Sequence, residues 1–355
     1  VSAAALRTRL QRVGQRLVQR ATVAGFRVAW RLLCRVPESL AYSGTDALAH
    51  LTYRRNTPDV QRLRANYARV RPGVAPGELE GLVAAGVRSY LRYWCEAFRL
   101  PAREVADVLA GVRAEGDEPV RAVLATGRPV VCFLGHMGNW DTAGAWATRE
   151  LAPVVTVAER LQPEELFEQF LAFREGLGMT IFALTGDGDV FGRLVRRTAA
   201  GGCIVPLLAD RDLTDSGVEV DFAGRRARMA PGPAALALAT GAPLVPVSMR
   251  YEPHVGGPGG FRLVITFHPA VPRMAGPEGG GRAANRERIA AMTQACADAL
   301  GAAIAEHTQD WHMMQRVFLD DLDPARTPPP AVHAGSSVSS VSKAPATYRS
   351  AAPGE

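Results

Sequence analysis

No run of the 355-residue chain reaches the roughly 18 consecutive apolar residues that a membrane-crossing helix needs. The first residues also lack the apolar heart of a signal peptide. A protein that is soluble, or only peripheral to a membrane, is therefore expected. Cysteine is scarce and dispersed: Cys34, Cys95, Cys132, Cys203 and Cys296 lie far apart, with no C-x-x-C pair. That spacing argues against a disulfide framework or a zinc site and fits reduced thiols in a cytosolic protein. There is no phosphate-cradling G-x-x-x-x-G-K-[ST], no glycine fingerprint after a strand, and no internal repeat. Nor is there an aromatic-basic segment of the kind that reads nucleic acid, so no nucleic-acid partner is expected.

What the chain does have is apolar mass and positive charge. At 47 % hydrophobic residues it can build a substantial core, and its net charge of +6 favours an anionic partner such as phospholipid headgroups or a phosphorylated ligand. In the first forty residues Arg9, Arg12, Arg16, Arg20, Arg27, Arg31 and Arg35 alternate with leucine, valine, phenylalanine and tryptophan. A helix with one basic face is expected there. It either lies on anionic lipid or packs on the protein with its arginines solvated.

Helical spacing continues through DVQRLRANYARVRPG and ELEGLVAAGVRSYLRYWCEAFRL. From residue 119 the texture alternates. Strands are expected at 130–134, 153–157, 179–184, 203–208, 243–249 and 260–267, with helices at 163–177, 189–200, 231–240 and 283–306. GDGD at 186–189 is most simply a turn. Apolar strands separated by helices predict an α/β fold: a mostly parallel central sheet flanked by helices, preceded by amphipathic helices. The expected organisation is a helical, membrane-associating part at 1–115, an α/β core at 116–323, and a disordered Pro/Ser/Ala tail at 324–355.

Ligands of open α/β sheets bind beyond the carboxyl ends of the strands. Those ends carry His136 after 130–134, Glu159-Arg160 after 153–157, Asp210-Arg211-Asp212 after 203–208 and Arg250 after 243–249. A histidine has the pKa range of a general base near neutral pH, and such a base needs a carboxylate on its other ring nitrogen. Asp141, five residues on, and Asp210, from another strand, both qualify. With seven histidines and 35 acids in the chain, chance alone yields roughly 0.7 such H-x-x-x-x-[DE] spacings. The context, an apolar strand ending in Gly135-His136-Met137-Gly138-Asn139-Trp140-Asp141, sets this one apart. Backbone N–H groups at Gly138, Asn139 and Trp140, opening a helix, are candidate oxyanion donors. His268 reads as a structural residue at a strand end. His312, beside Trp311, reads as packing or as lining the site.

GHMGNWD resembles the histidine motif of glycerolipid acyltransferases in the form used by the lipid A acyltransferase superfamily. Further similarity follows in AERL at 158–161, FREGLGM, LADRDLTDSGVEVDFAGRRARMAPGPAALALATGAPLVPV at 208–247 and DWHMMQ at 310–315. Together these stretches resemble the actinobacterial branch that acylates phosphatidylinositol mannosides, over residues 20 to 322. The resemblance implies that His136 is the general base, that Asp141 is the acid of the motif, and that Asp210 holds the position of an acidic residue pairing with the histidine. Relatives carry glutamate at that last position, one methylene longer. It further places Glu159, Arg160 and Arg174 near the acceptor's headgroup. Acyl-CoA is implied as co-substrate, with no other cofactor and no metal. The implied location is peripheral, on the cytoplasmic side of the cell membrane, at the inner leaflet. Arg211, Arg225, Arg226 and Arg228 are candidates for phosphate contacts or for solvated surface. Two other enzyme readings are a lipid A-type acyltransferase with another glycolipid acceptor, and a metal enzyme using Asp210-Arg211-Asp212 as a D-x-D pair. A non-catalytic lipid- or nucleic-acid-binding protein is the third alternative.

Overall fold

The structure is a computed structural model and describes residues 24, 25, 28, 30, 32–159, 164–184, 189–212, 216–272 and 281–322. Most of the basic amphipathic segment, Arg160, the 186–188 part of the GDGD turn and the tail from 323 lie outside the described residues.

The first three helices with described bounds are α1 (Glu38–Arg55), α2 (Pro58–Val70) and α3 (Pro76–Arg99). Proline at the first helical position opens both α2 and α3, where its missing N–H costs nothing. The Thr57 side chain caps α2 by accepting from the Val60 N–H. Helices α2 and α3 cross at Gly86, where an added Cβ would lie 2.3 Å from the Tyr67 hydroxyl. The chain then runs through α4 (Val105–Ala110), β1 (Val112–Glu115), α5 (Glu118–Ala125), β2 (Val130–Leu134), α6 (Trp140–Glu150), β3 (Val155–Ala158), α7 (Glu164–Gly176) and β4 (Thr180–Ala183). It continues through α8 (Val190–Ala199), β5 (Ile204–Leu208), β6 (Val218–Phe222), β7 (Arg225–Met229), α9 (Gly232–Thr240), β8 (Leu244–Pro253), β9 (Phe261–Phe267) and α10 (Arg282–Glu306).

The central sheet has the order β1-β9-β8-β2-β5. Only the β8–β9 pairing is antiparallel, so the sheet is mostly parallel, as expected. Beyond β5, a parallel bridge from Val154 to Ile204 brings up the β3–β4 pair. β2 lies between β8 and β5, and all five of its residues are buried. Full burial of each Val, Phe or Leu there contributes roughly 1.5–3 kcal/mol, which is why this strand reads as an unbroken apolar run.

β1 and the β6–β7 hairpin are additions to the strands expected from the sequence. β1 is four half-buried residues at a sheet edge, and the hairpin alternates buried residues with arginine and acids. Neither carries the apolar density by which a strand is recognised. β8 runs on to Pro253, past the expected end at 249, because its antiparallel register with β9 extends to Pro253↔Phe261. All five cysteines are free thiols. Among the described residues, no helix is long and apolar enough to cross a membrane.

Candidate active site

The parallel register of β2 and β5 ends at Leu134↔Leu208 and is prolonged by Ala209 N–H donating to the Leu134 carbonyl. Two residues past each strand, on the same edge, stand His136 and Asp210. His136 Nδ1 lies 2.5 Å from Asp210 Oδ1, and the His136 backbone N–H donates to Asp210 Oδ2 at 2.9 Å. Trp311 Nε1–H donates to the same Oδ2 at 2.8 Å. Asp210 is fully buried. Burial opposes its ionisation, yet the charge and hydrogen bonds of His136, with Trp311 and the His136 backbone, hold its pKa below the ordinary carboxylate value. An ionised carboxylate only accepts, so the neutral tautomer that fits this contact has its proton on Nδ1 and its lone pair on Nε2. Both Asp210 oxygens are occupied by N–H donors. This is the wiring of a base's partner.

Asp141 does not reach His136. It sits buried in the first turn of α6, accepts from Arg174 Nε at 2.7 Å and accepts from the Tyr93 hydroxyl at 3.0 Å. Burial works against the charge of Arg174, but the Asp141 carboxylate outweighs it and raises the guanidinium pKa above its ordinary value. The motif's acid therefore ties α6 to α7 and α3. Of the two carboxylates proposed for the histidine, the tertiary structure selects Asp210.

The turn between β2 and α6 explains its own composition. Gly138 has φ +54°, and a Cβ there would lie 2.9 Å from Met249 Cβ. Its N–H donates to the Asp310 carbonyl at 2.9 Å, which corrects its assignment as an oxyanion donor: the proton is already engaged. Asn139 caps α6, its Oδ1 accepting from Thr142 N–H. Its Nδ2 donates to Glu96 Oε2, a buried carboxylate that also accepts from the Tyr251 hydroxyl. The Asn139 and Trp140 N–H groups stand at the positive end of α6, where a developing anion is favoured.

His136 lines a cleft with Tyr93, Trp140, Arg174, Arg211 and His312, and the exposed Glu159 stands at its edge. Trp140 stacks against Tyr93 at 4.1 Å between centroids and meets His136 edge-on at 5.8 Å. Arg211 is the cleft's uncommitted cation. No hydrogen bond or ion pair reaches its guanidinium from the described residues, and burial lowers its pKa against the fields of Asp210, Glu159 and Asp212. Arg225 and Arg226 lie outside the cleft, paired with Asp320 and Glu219 on the hairpin side, and Arg228 lies on the same hairpin. His268 is structural, its Nε2 2.9 Å from Ser248 Oγ.

Several site residues escaped the sequence reading. Tyr93, Glu96 and Ser89 sit on α3, in a stretch read only as helix. Their signal was a polar or hydroxyl group repeating along its otherwise apolar face. Trp311 and His312 form a strap over the histidine turn, with His312 N–H donating to the His136 carbonyl at 2.7 Å. The Ser89 hydroxyl donates to Asp310 Oδ1 at 2.7 Å and accepts from His312 Nε2 at 2.9 Å. Burial, with His136 nearby, pushes the His312 pKa down to about 3, and burial pushes Asp310 up to about 6.

Residues 15–320 match the family model of the bacterial lipid A biosynthesis acyltransferases. A phosphatidylinositol mannoside acyltransferase of Mycolicibacterium smegmatis is 38 % identical over 307 residues, spanning 86 % of this chain and 94 % of the relative. One from Mycobacterium tuberculosis is 37 % identical over 314 residues, spanning 86 % of this chain and 91 % of the relative. With the motif histidine, its buried carboxylate and this extent of similarity together, the chain belongs to the bacterial lipid A biosynthesis acyltransferase family.

Proposed function

We propose that the protein transfers a long-chain fatty acyl group from acyl-CoA to a mannose hydroxyl of a phosphatidylinositol mannoside, with His136 as general base. The observation that carries the base assignment is the Asp210 contact to Nδ1, which makes Nε2 the acceptor of the neutral ring, and that ring lines the cleft. The names and the coverage of the two mycobacterial relatives support the acceptor.

The hydroxyl oxygen attacks the thioester carbonyl as Nε2 takes its proton, and Asp210 stabilises the imidazolium. The oxyanion that forms faces the Asn139 and Trp140 N–H groups at the start of α6. Collapse breaks the carbon–sulfur bond, and the CoA thiolate leaves, taking the proton from His136. No acyl-enzyme and no cofactor beyond acyl-CoA enters these steps. The aromatic faces of Trp140 and Tyr93 suit a sugar ring, and Arg211 supplies an unpaired cation for a phosphate of either substrate. A narrow apolar slot between α6 and the sheet begins at Leu134 and Trp140 and runs to Trp146 and Phe267. Its apolar lining makes it the path proposed for the acyl chain. Leu40, Leu48 and Leu51 stand exposed on α1, whose last turn carries Arg54 and Arg55. That face rests on the anionic inner leaflet as a peripheral contact.

Purified protein is incubated with palmitoyl-CoA and phosphatidylinositol mannosides beside His136→Ala, and free CoA and acylated lipid are followed by mass spectrometry. Acylated mannoside from the wild type alone is the expected result. CoA release that depends on His136 but yields no acylated mannoside would discard the acceptor. Absence of any thioester cleavage would discard the reaction.

A further inference from the structure

A cavity larger than the catalytic cleft lies elsewhere among the described residues. It occupies about 540 Å³ on the side of α6 away from the sheet, between α4, α6, α7 and the 3₁₀ turn Leu100–Ala102. Leu100, Val108, Ala145 and Phe173 of its walls belong to a small apolar cluster separate from the main core. The pocket opens to the surface, so a ligand can enter it from outside. Charged groups line it in one sign only. Among the described residues Arg103 and Arg149 line it and no acidic side chain does, while Arg103 also forms a long ion pair with Glu38 at 3.9 Å.

An aromatic partition separates this cavity from the cleft: Trp30 packs on Phe98 and Phe173, and Trp94 packs on Phe98 and Phe170. At about 30 Å³ for each water-sized group, a sixteen-carbon chain needs roughly 480 Å³, and two chains need twice that. The space therefore suits one chain. We propose that the cavity is a second lipid site, holding a single free long-chain fatty acid whose carboxylate meets Arg103 and Arg149. The bound chain packs between α6 and α7, the two helices joined by the Asp141–Arg174 pair, and so braces them. This site is independent of the acceptor assigned above.

The test uses the full chain in its His136→Ala form, so that binding is read without turnover. A photoreactive palmitate analogue is cross-linked and the labelled peptides are mapped, while palmitate and hexadecanol are compared by calorimetric titration. Label is expected in residues 100–109 and 172–177. Arg149→Glu, at an exposed position, is expected to weaken palmitate binding at least tenfold. Ala145→Leu is expected to narrow the cavity and weaken it further. Hexadecanol is expected to bind at least tenfold more weakly than palmitate. Label confined to the slot or the cleft, one-for-one displacement by palmitoyl-CoA, equal binding of hexadecanol, or binding only to phosphatidylglycerol vesicles would each overturn the proposal. A failed acyl-transfer assay with intact palmitate binding would leave this site standing and remove only the reaction.

Discussion

Replacing Asp210 by asparagine tests the wiring of the base with almost no change of shape. The carboxylate takes three donors: His136 Nδ1–H on Oδ1, and the His136 backbone N–H with Trp311 Nε1–H on Oδ2. Asparagine offers one oxygen and one NH₂. If its oxygen faces Nδ1, the NH₂ opposes two fixed N–H donors inside a fully buried site. If the amide turns over, its oxygen satisfies both of those donors and its NH₂ faces Nδ1. The second arrangement keeps two hydrogen bonds where the first keeps one. It also forces the His136 proton onto Nε2, the atom that must accept from the substrate. A base locked in the wrong tautomer loses about 10⁴ in kcat, equivalent to roughly 5.5 kcal/mol of barrier. Exchanging charge-assisted hydrogen bonds for neutral ones also costs about 1 kcal/mol of stability. CoA release from palmitoyl-CoA, followed with a thiol reagent, reads the first number, and urea denaturation reads the second. Asp210→Asn retaining more than about a tenth of wild-type kcat would refute the tautomer reasoning.

Asp141→Asn should act mainly through stability. It leaves the Arg174 guanidinium without its charge partner, and breaking such a buried pair costs about 3–5 kcal/mol, read by thermal denaturation. Gly138→Ala meets both a positive φ and the Met249 side chain, so a loss of about 1–3 kcal/mol is expected, with a lowered midpoint in urea. His312 has an ordinary pKa of 6.5 and a folded value of about 3. The unfolded chain therefore takes up the proton first, and stability falls as pH drops from about 6.5 towards 3. Thermal midpoints at pH 7 and pH 4.5 should differ less in His312→Gln than in the wild type, and an unchanged difference would count against a buried neutral imidazole.

The sheet was legible because its strands are buried on both faces, and burial on both faces writes continuous apolar runs: VVCFL and IVPLL are both strands within a residue of expectation. β1 and the β6–β7 hairpin lacked that signature, because an edge strand and a solvent-facing hairpin tolerate arginine and acid at alternate positions. His136 was legible because a glycine-bounded histidine at a strand end is a rare combination, and Asp210 was legible as one of two possible partners. The choice between them was not, because spacing along the chain says nothing of where a side chain five residues away will find its charge.

The sequence by itself determined the α/β class, the strand that carries the histidine, and the chemistry available at the sheet's carboxyl edge. These follow from local pattern and from the rule that such sheets bind ligands at that edge. Only the tertiary structure decided who pairs with whom. The parallel register Leu134↔Leu208 sets Asp210 beside His136 from 74 residues away, while α3 and α7 bring Tyr93 and Arg174 to claim Asp141. A carboxylate's role depends on which donor reaches it first in three dimensions, and that is fixed by packing between elements far apart in the chain.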